Sequence, residues 1–68
     1  MERQWLIECR RHADLLQNQV AYEVGITPQG MCMIEKGRNT PRPDMARKIA
    51  KVLGFDWTRF YTEDDPVS

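Results

Sequence analysis

The 68-residue sequence has little cysteine, a single histidine and no long apolar run. Cys9 and Cys32 have neither the number nor the spacing of a disulfide framework or a zinc site, and His12 completes no ligand set. No segment approaches the roughly 18 apolar residues of a membrane span, and the polar start, Met1-Glu-Arg-Gln-Trp5, does not indicate a signal peptide. We therefore expect reduced thiols, a cytoplasmic location, and neither a bound metal nor a membrane partner.

The same shortages argue against an enzyme. One histidine and two isolated cysteines do not assemble a nucleophile, a base and a group that orients the base. A chain of this length holds one core and leaves little room for a large substrate pocket. We predict that the protein is not an enzyme, needs no cofactor and has no small-molecule substrate.

An excess of charge of one sign is also missing, because ten Lys and Arg residues balance ten Asp and Glu residues. The charges are unevenly distributed, however. Residues 36–51 carry six basic side chains against Asp44 alone, whereas Glu63, Asp64 and Asp65 crowd the end of the chain. A basic stretch of this kind can bind a polyanion such as nucleic acid even when the net charge of the chain is zero. We predict one globular domain over residues 1–62 and an acidic flexible tail over residues 63–68.

Apolar residues recur at steps of three and four along most of the chain, which is the spacing of one helix face. The pattern predicts helices at about 2–13, 17–24, 28–36 and 43–53, and a short fifth helix that Asp56 caps. Nothing indicates a strand, so the predicted fold class is all-α, a compact five-helix bundle. The side chains predicted to be buried are Leu6, Val20, Ala21, Val24, Ile26, Met31, Ile34, Ile49, Val52 and Leu53.

Turn and cap residues separate the predicted helices. Asp14 tolerates a left-handed conformation and marks a break after the first helix. Gly25 stands where the second helix needs a left-handed C-terminal cap. Thr27 and Pro28 then supply an N-cap hydroxyl and a proline at the first position of the third helix. Two short helices joined so tightly, with small Ala21 where they approach, have the form of a helix-turn-helix.

At these positions the sequence resembles the phage repressor and Cro-type helix-turn-helix regulators, the lambda repressor-like DNA-binding domains. The resemblance covers about residues 5–61 and is carried by Leu6, Arg10, Leu15, Gln17, Val20-Ala21, Val24-Gly25-Ile26-Thr27, Ile34-Glu35, Gly37, Arg38, Pro41, Ile49-Ala50 and Leu53-Gly54. It implies a lambda repressor-like bundle in which helices two and three form the helix-turn-helix. It also implies a transcriptional regulator that binds specific sequences of double-stranded DNA.

Three positions depart from that family. The family commonly has Gly where this chain has Asp14, and Thr or Ser where it has Leu16, so the usual N-cap of the second helix is missing. Gly30 replaces a small polar residue of the third helix. Two interpretations of Gly30 stay open: it brings the backbone close to DNA, or it weakens the helix by roughly 1 kcal/mol relative to alanine.

The second helix of such a pair enters the major groove by its N-terminal part, so the predicted recognition helix is about 28–36. Gln29 is the first candidate for a base contact, because its amide can bond an adenine edge through both O and N–H. Met33, one turn later, would contact a thymine methyl, and Pro28 lies beside them. The alternatives are a solvated surface for Gln29 and core packing for Met33.

Phosphate contacts must set the register before any base is read. Gln17 resembles the family residue that anchors a backbone phosphate at the start of the second helix. The other candidates flank the recognition helix and the loop after it: Thr27, Lys36, Arg38, Asn39 and Arg42. The alternative for these charges is a solvated surface without a DNA contact.

Arg10 and Glu35 match family positions, and we predict a partly buried ion pair that holds the first helix against the recognition helix. The alternative is two surface residues that never meet.

One recognition helix reads only a few base pairs, so we predict a homodimer on a palindromic operator, with recognition helices about 34 Å apart. Trp57, Phe60 and Tyr61 are the candidate interface, because aromatic residues concentrate at interface centres. The alternative is that Trp57 and Phe60 close the monomer core. The rival function is a protein-interaction module on the same fold, either antitoxin-like or bound to a polymerase or another regulator.

Overall fold

The computed structural model describes residues 2–62, which form five helices joined by short turns and loops. In chain order these are α1 (Gln4–His12), α2 (Gln17–Val24), α3 (Pro28–Glu35), α4 (Pro43–Leu53) and α5 (Arg59–Thr62). No strand occurs between residues 2 and 62, and the predicted all-α class is confirmed. The acidic tail predicted at 63–68 lies outside the described residues.

Local hydrogen bonds at the predicted cap residues begin and end the helices. Gly25 ends α2 with a φ of +82°, a left-handed conformation that glycine adopts without steric cost. Thr27 caps α3, since its Oγ1 accepts from the Gly30 N–H at 3.0 Å. Asp14 has a φ of 62°, as predicted for the break between α1 and α2.

Leu16 is the N-cap residue of α2, and its side chain has no hydroxyl with which to cap the helix. The Gln19 side chain reaches back, and its Oε1 accepts from the Leu16 N–H at 2.7 Å. This bond is one half of a capping box. Its presence explains why α2 begins at Gln17 despite an apolar residue at the N-cap position.

Asp56 forms the turn before α5. Its Oδ1 accepts from the Thr58 hydroxyl at 2.8 Å and from the Thr58 N–H at 3.0 Å. These bonds, the hydroxyl bond first, lower the pKa of the Asp56 carboxyl below its ordinary value. Asp56 therefore orders the turn, and the short helix itself begins three residues later at Arg59.

The core consists of the apolar faces of α1 to α4, closed by one aromatic ring from α5. Its members are Leu6, Val20, Ala21, Val24, Met31, Ile34, Ala46, Ile49, Leu53 and Phe60. The prediction was wrong for two positions, since Ile26 and Val52 are only half-buried at the edge of this cluster. Ile26 lies in the turn between α2 and α3, and Val52 lies close to the end of α4, where packing is one-sided.

Phe60 belongs to the monomer core, which corrects its assignment to a dimer interface. Its side chain is 2% exposed. Its ring packs edge-to-face on Trp5 at 5.2 Å and on Phe55 at 5.5 Å between ring centroids. A ring enclosed in this way has no surface left for a partner, so Phe60 closes the core.

Among residues 2–62, no helix is long and apolar enough to cross a membrane.

Candidate nucleic-acid interface

The helix-turn-helix is built by α2 and α3, which share one buried cluster and are separated by residues 25–27. Val20, Ala21 and Val24 contribute from α2, and Met31 and Ile34 contribute from α3. Because these residues occupy one stripe of each helix, the opposite stripe of α3 remains at the surface. The second helix of the motif is therefore packed against the first with one face open.

The open face of α3 contains the residues predicted to read bases. Pro28 and Gln29 are exposed in the first turn, at the end of the helix that enters a groove in this motif. Met33 is half-buried, one turn further along. The N-terminal turn thus presents an unobstructed amide, and Met33 presents only part of its side chain.

The residues predicted to bind phosphates lie at both ends of α3 and in the loop that follows. Thr27, Lys36, Arg38, Asn39 and Arg42 are all exposed. Thr27 already caps the helix through its oxygen, but its hydroxyl hydrogen stays free to donate. The recognition helix is therefore flanked by hydrogen-bond donors and positive charges, the chemistry that phosphate oxygens require.

Gln17 has a second role that the sequence did not reveal. The side chain is half-buried, and its Nε2 donates to the Glu35 Oε1 at 2.9 Å. An amide nitrogen carries two hydrogens, so one N–H remains for a phosphate. The contact fixes the amide at the start of α2, where the first N–H groups also have no carbonyl one turn earlier.

Glu35 joins three segments at the end of the recognition helix. Its Oε2 accepts from the Arg10 Nε at 2.6 Å, and its Oε1 accepts from the Arg10 Nη2 at 3.3 Å and from Gln17. Arg10 also donates to the Leu15 carbonyl at 3.0 Å. The side chains of Arg10 and Glu35 are 14% and 2% exposed, so the ion pair between α1 and α3 is largely removed from water.

A groove of about 450 Å³ runs beside α3, between the helix and the start of α4. Its wall includes Gly30, whose missing side chain leaves this part of α3 open. A Cβ at Gly30 would lie 3.3 Å from the Thr27 Oγ1 and 3.8 Å from the Ile26 Cβ. Glycine thus leaves the capping oxygen uncrowded and keeps the backbone of the first turn accessible.

Arg3 is the residue of this region that the sequence reasoning missed. It is 5% exposed, and its guanidinium binds the end of α3 and the following loop rather than solvent. The only local signal is an arginine just before an apolar helix, which is also typical of a surface position. The hydrogen bonds that its guanidinium donates to Ile34, Asn39 and Thr40 span 31 to 37 residues of sequence, so no short-range pattern identifies them.

Trp57 and Tyr61 remain as the exposed part of the predicted dimer surface. Tyr61 is 45% exposed and Trp57 is half-buried, with 5.9 Å between their ring centroids. The Arg47 guanidinium lies over the Trp57 ring at 4.6 Å. These residues form a small aromatic patch, which we call the α5 patch.

A helix-turn-helix whose second helix has an open face, flanked by exposed donors and positive charges, is typical of a class of DNA-binding domains. Comparison with known proteins agrees with this class. The helix-turn-helix family matches residues 6–60 of the chain. The chain is 36% identical, over 63 residues, to the uncharacterized HTH-type transcriptional regulator YqaF of Bacillus subtilis strain 168, covering 93% of this chain and 83% of that protein.

A second relative is an uncharacterized HTH-type transcriptional regulator of Methanothermobacter thermautotrophicus. It is 40% identical over 47 residues, which cover 69% of this chain and 68% of that protein. No solved structure matches the chain. The chain belongs to the Cro/C1-type helix-turn-helix family and is a DNA-binding regulator.

Proposed function

We propose that the protein binds a palindromic operator in double-stranded DNA as a homodimer and regulates transcription there, in the manner of phage repressors and Cro proteins. The single observation that carries this proposal is the exposed first turn of α3, where Gln29 stands between donors on both sides. An amide at this position can bond an adenine edge in the major groove. A regulator of this kind acts in the cytoplasm, where the DNA is.

Each group around α3 has a distinct task in the proposed complex. Gln29 reads a base edge, while Met33 and Pro28 supply apolar contact beside it. Gln17, on the neighbouring helix, donates to a phosphate. The remaining phosphate donors stand on either side of the reading turn and are Thr27, Lys36, Arg38, Asn39 and Arg42.

The test combines selection of bound sites from random duplex DNA with a salt titration of the selected site. We expect an enriched sequence with two inverted half-sites and an affinity that falls linearly with the logarithm of salt concentration, because phosphate neutralisation releases counterions. A random duplex of equal length is the control for specificity. An affinity for DNA that is weak and equal for all sequences would overturn the proposal and favour a protein-interaction module.

A further inference from the structure

The loop between α3 and α4, residues 36–42, carries most of the proposed phosphate contacts. We call it the phosphate loop. Lys36, Arg38, Asn39 and Arg42 are exposed on it, whereas Pro41 is buried. Loops usually move more than the helices they connect, and ordering a residue costs about 1–2 kcal/mol of conformational entropy. A loop that must match several phosphates therefore gains affinity if it is ordered before it meets DNA.

The N-terminal segment orders this loop through Arg3. The Arg3 Nη1 donates to the Ile34 carbonyl at 2.6 Å and to the Asn39 carbonyl at 2.7 Å. Its Nη2 donates to the Thr40 Oγ1 at 2.8 Å. One guanidinium thus joins the last turn of α3 to the middle of the phosphate loop.

The backbone of Arg3 and the face of its guanidinium form further contacts. Its backbone N–H donates to the Glu35 carbonyl at 2.7 Å, and its guanidinium carbon lies 5.5 Å from the centre of the Phe60 ring. Since the side chain is 5% exposed, Arg3 has no surface with which to bind a phosphate itself.

The C-terminal helix holds the other end of the same loop. The Tyr61 hydroxyl donates to the Pro41 carbonyl at 2.7 Å. Proline has no N–H, so its carbonyl is the only backbone group of Pro41 that can form a hydrogen bond. The phosphate loop is therefore fastened from both ends of the described chain, by Arg3 through Asn39 and Thr40 and by Tyr61 through Pro41.

We propose that Arg3 and Tyr61 are positioning residues for DNA binding, which fix the phosphate loop so that Arg38, Asn39 and Arg42 reach phosphates together. This inference rests on the proposed DNA-binding function. It makes the phosphate contacts of the loop depend on two residues that lie outside the loop. Neither residue contributes to base reading, because the first turn of α3 is held separately by its cap and by the core.

The test measures how steeply DNA affinity depends on salt in three variants. Arg3→Lys keeps the positive charge but replaces a planar guanidinium that reaches three acceptors with a compact ammonium. Tyr61→Phe removes the hydroxyl and keeps the ring. Lys51→Gln, which removes an exposed charge from α4 away from the loop, is the control for net charge.

We expect Arg3→Lys to make the slope of log affinity against log salt shallower by about one to two units, since each lost phosphate contact changes it by about 0.9. Tyr61→Phe should have a smaller effect in the same direction, and Lys51→Gln the wild-type slope. At high salt, phosphate contacts contribute least to affinity. Under that condition, the ratio of affinities for the selected and the random duplex should stay within a few-fold of wild type. The active fraction of each variant is measured by stoichiometric titration at every salt concentration, so that partial unfolding does not enter the slope.

Amide hydrogen exchange without DNA gives an independent measurement. The backbone N–H groups of Arg38 and Asn39, which donate to the Met33 carbonyl, should exchange faster in Arg3→Lys than in wild type, while the N–H groups of residues 20–34 should not. If Arg3→Lys fails to fold, Thr40→Val and Tyr61→Phe replace it, because each removes one loop contact. Wild-type slopes in all folded variants would overturn the inference and leave the proposed function intact. A wild-type protein without salt-dependent DNA binding would instead refute the proposed function, and the inference with it.

Discussion

At the scale of single residues, Glu35 links α3 to both of the helices that precede it. It is 2% exposed and accepts hydrogen bonds from α1 and α2. Within residues 2–62, no buried side-chain nitrogen or oxygen lacks a hydrogen-bond partner, so the charge is compensated. Such a pair is weak evidence for net stability, but removing one partner strands a buried charge.

Arg10→Met should therefore lower the free energy of unfolding by about 3–5 kcal/mol, because Glu35 would remain buried without its cation. Urea denaturation at neutral pH measures the change. Arg11→Met, at an exposed neighbour on the same helix, is the matched control and should stay within about 0.5 kcal/mol of wild type. The double substitution Arg10→Met with Glu35→Met should recover much of the loss, since an apolar pair replaces the ions. A single variant as mild as its control would contradict the buried-charge argument.

Gln29 and Arg42 should behave differently when each is replaced by alanine. Gln29→Ala should relax the preference at one or two base pairs, at a cost of roughly 1–3 kcal/mol for the selected site. Arg42→Ala should weaken binding to all duplexes alike and reduce the salt slope by about one for each bound protomer, which is about two for the homodimer. Titrations with the selected and the random duplex at several salt concentrations separate the two effects. If both variants lost the same affinity on both duplexes, Gln29 would not be the base-reading residue.

At the scale of elements, the helices follow signals that lie within a few residues of each helix end. The bounds predicted for α2 and α4 match those observed, because Gly25 and Gly54 end them in left-handed conformations. The first helix begins later than predicted, at Gln4. Arg3 has a non-helical φ of −87° and ψ of 77°, and its backbone N–H donates to the Glu35 carbonyl at the end of α3.

Thr27 gives a direct test of the cap that begins the recognition helix. Thr27→Ala should lower the free energy of unfolding by about 1 kcal/mol, because the Gly30 N–H loses its acceptor. Thr27→Ser keeps a hydroxyl at the same place and should remain close to wild type. Thermal or urea unfolding of the three proteins distinguishes a cap from a residue that only contacts DNA. An alanine variant as stable as the serine variant would show that the cap contributes nothing.

At the scale of the whole molecule, the proposed dimer must place two recognition helices about 34 Å apart, one helical turn of DNA. A two-fold axis would then lie about 17 Å from each recognition helix, a distance that is within the 34 × 21 × 20 Å extents of the described domain. The α5 patch is the remaining candidate for the interface at that axis, because Phe60 is buried in the core. It consists of Trp57, Tyr61 and the Arg47 side chain that lies over Trp57.

Tyr61→Gln should weaken the dimer, since it removes the more exposed ring of the patch. Tyr22→Gln is the matched control, because Tyr22 is 84% exposed on α2 and lies outside the patch. Sedimentation with a palindromic duplex should show two proteins per duplex for wild type and for Tyr22→Gln, and a shift toward one for Tyr61→Gln. Tyr61→Phe should still dimerise, which separates the ring from the hydroxyl that holds the phosphate loop. Wild-type protein that saturates at one copy per duplex would rule out the dimer.

The sequence by itself determined the order of the helices, the caps at Gly25 and Thr27 and the motif, because hydrophobic periodicity and cap chemistry act over three or four residues. It also indicated the family, and it predicted that Gln29 is exposed. Once Met31 and Ile34 are recognised as the buried stripe of α3, the residues on the other face of the helix are expected at the surface. Only the tertiary structure decided where Arg3, Tyr61 and Phe60 belong. From sequence alone, an arginine that precedes a helix, or an aromatic residue in a short last helix, is equally compatible with a surface position and with a buried one. Their places depend on partners as far apart in sequence as Arg3 and Phe60, brought together only when the helices pack.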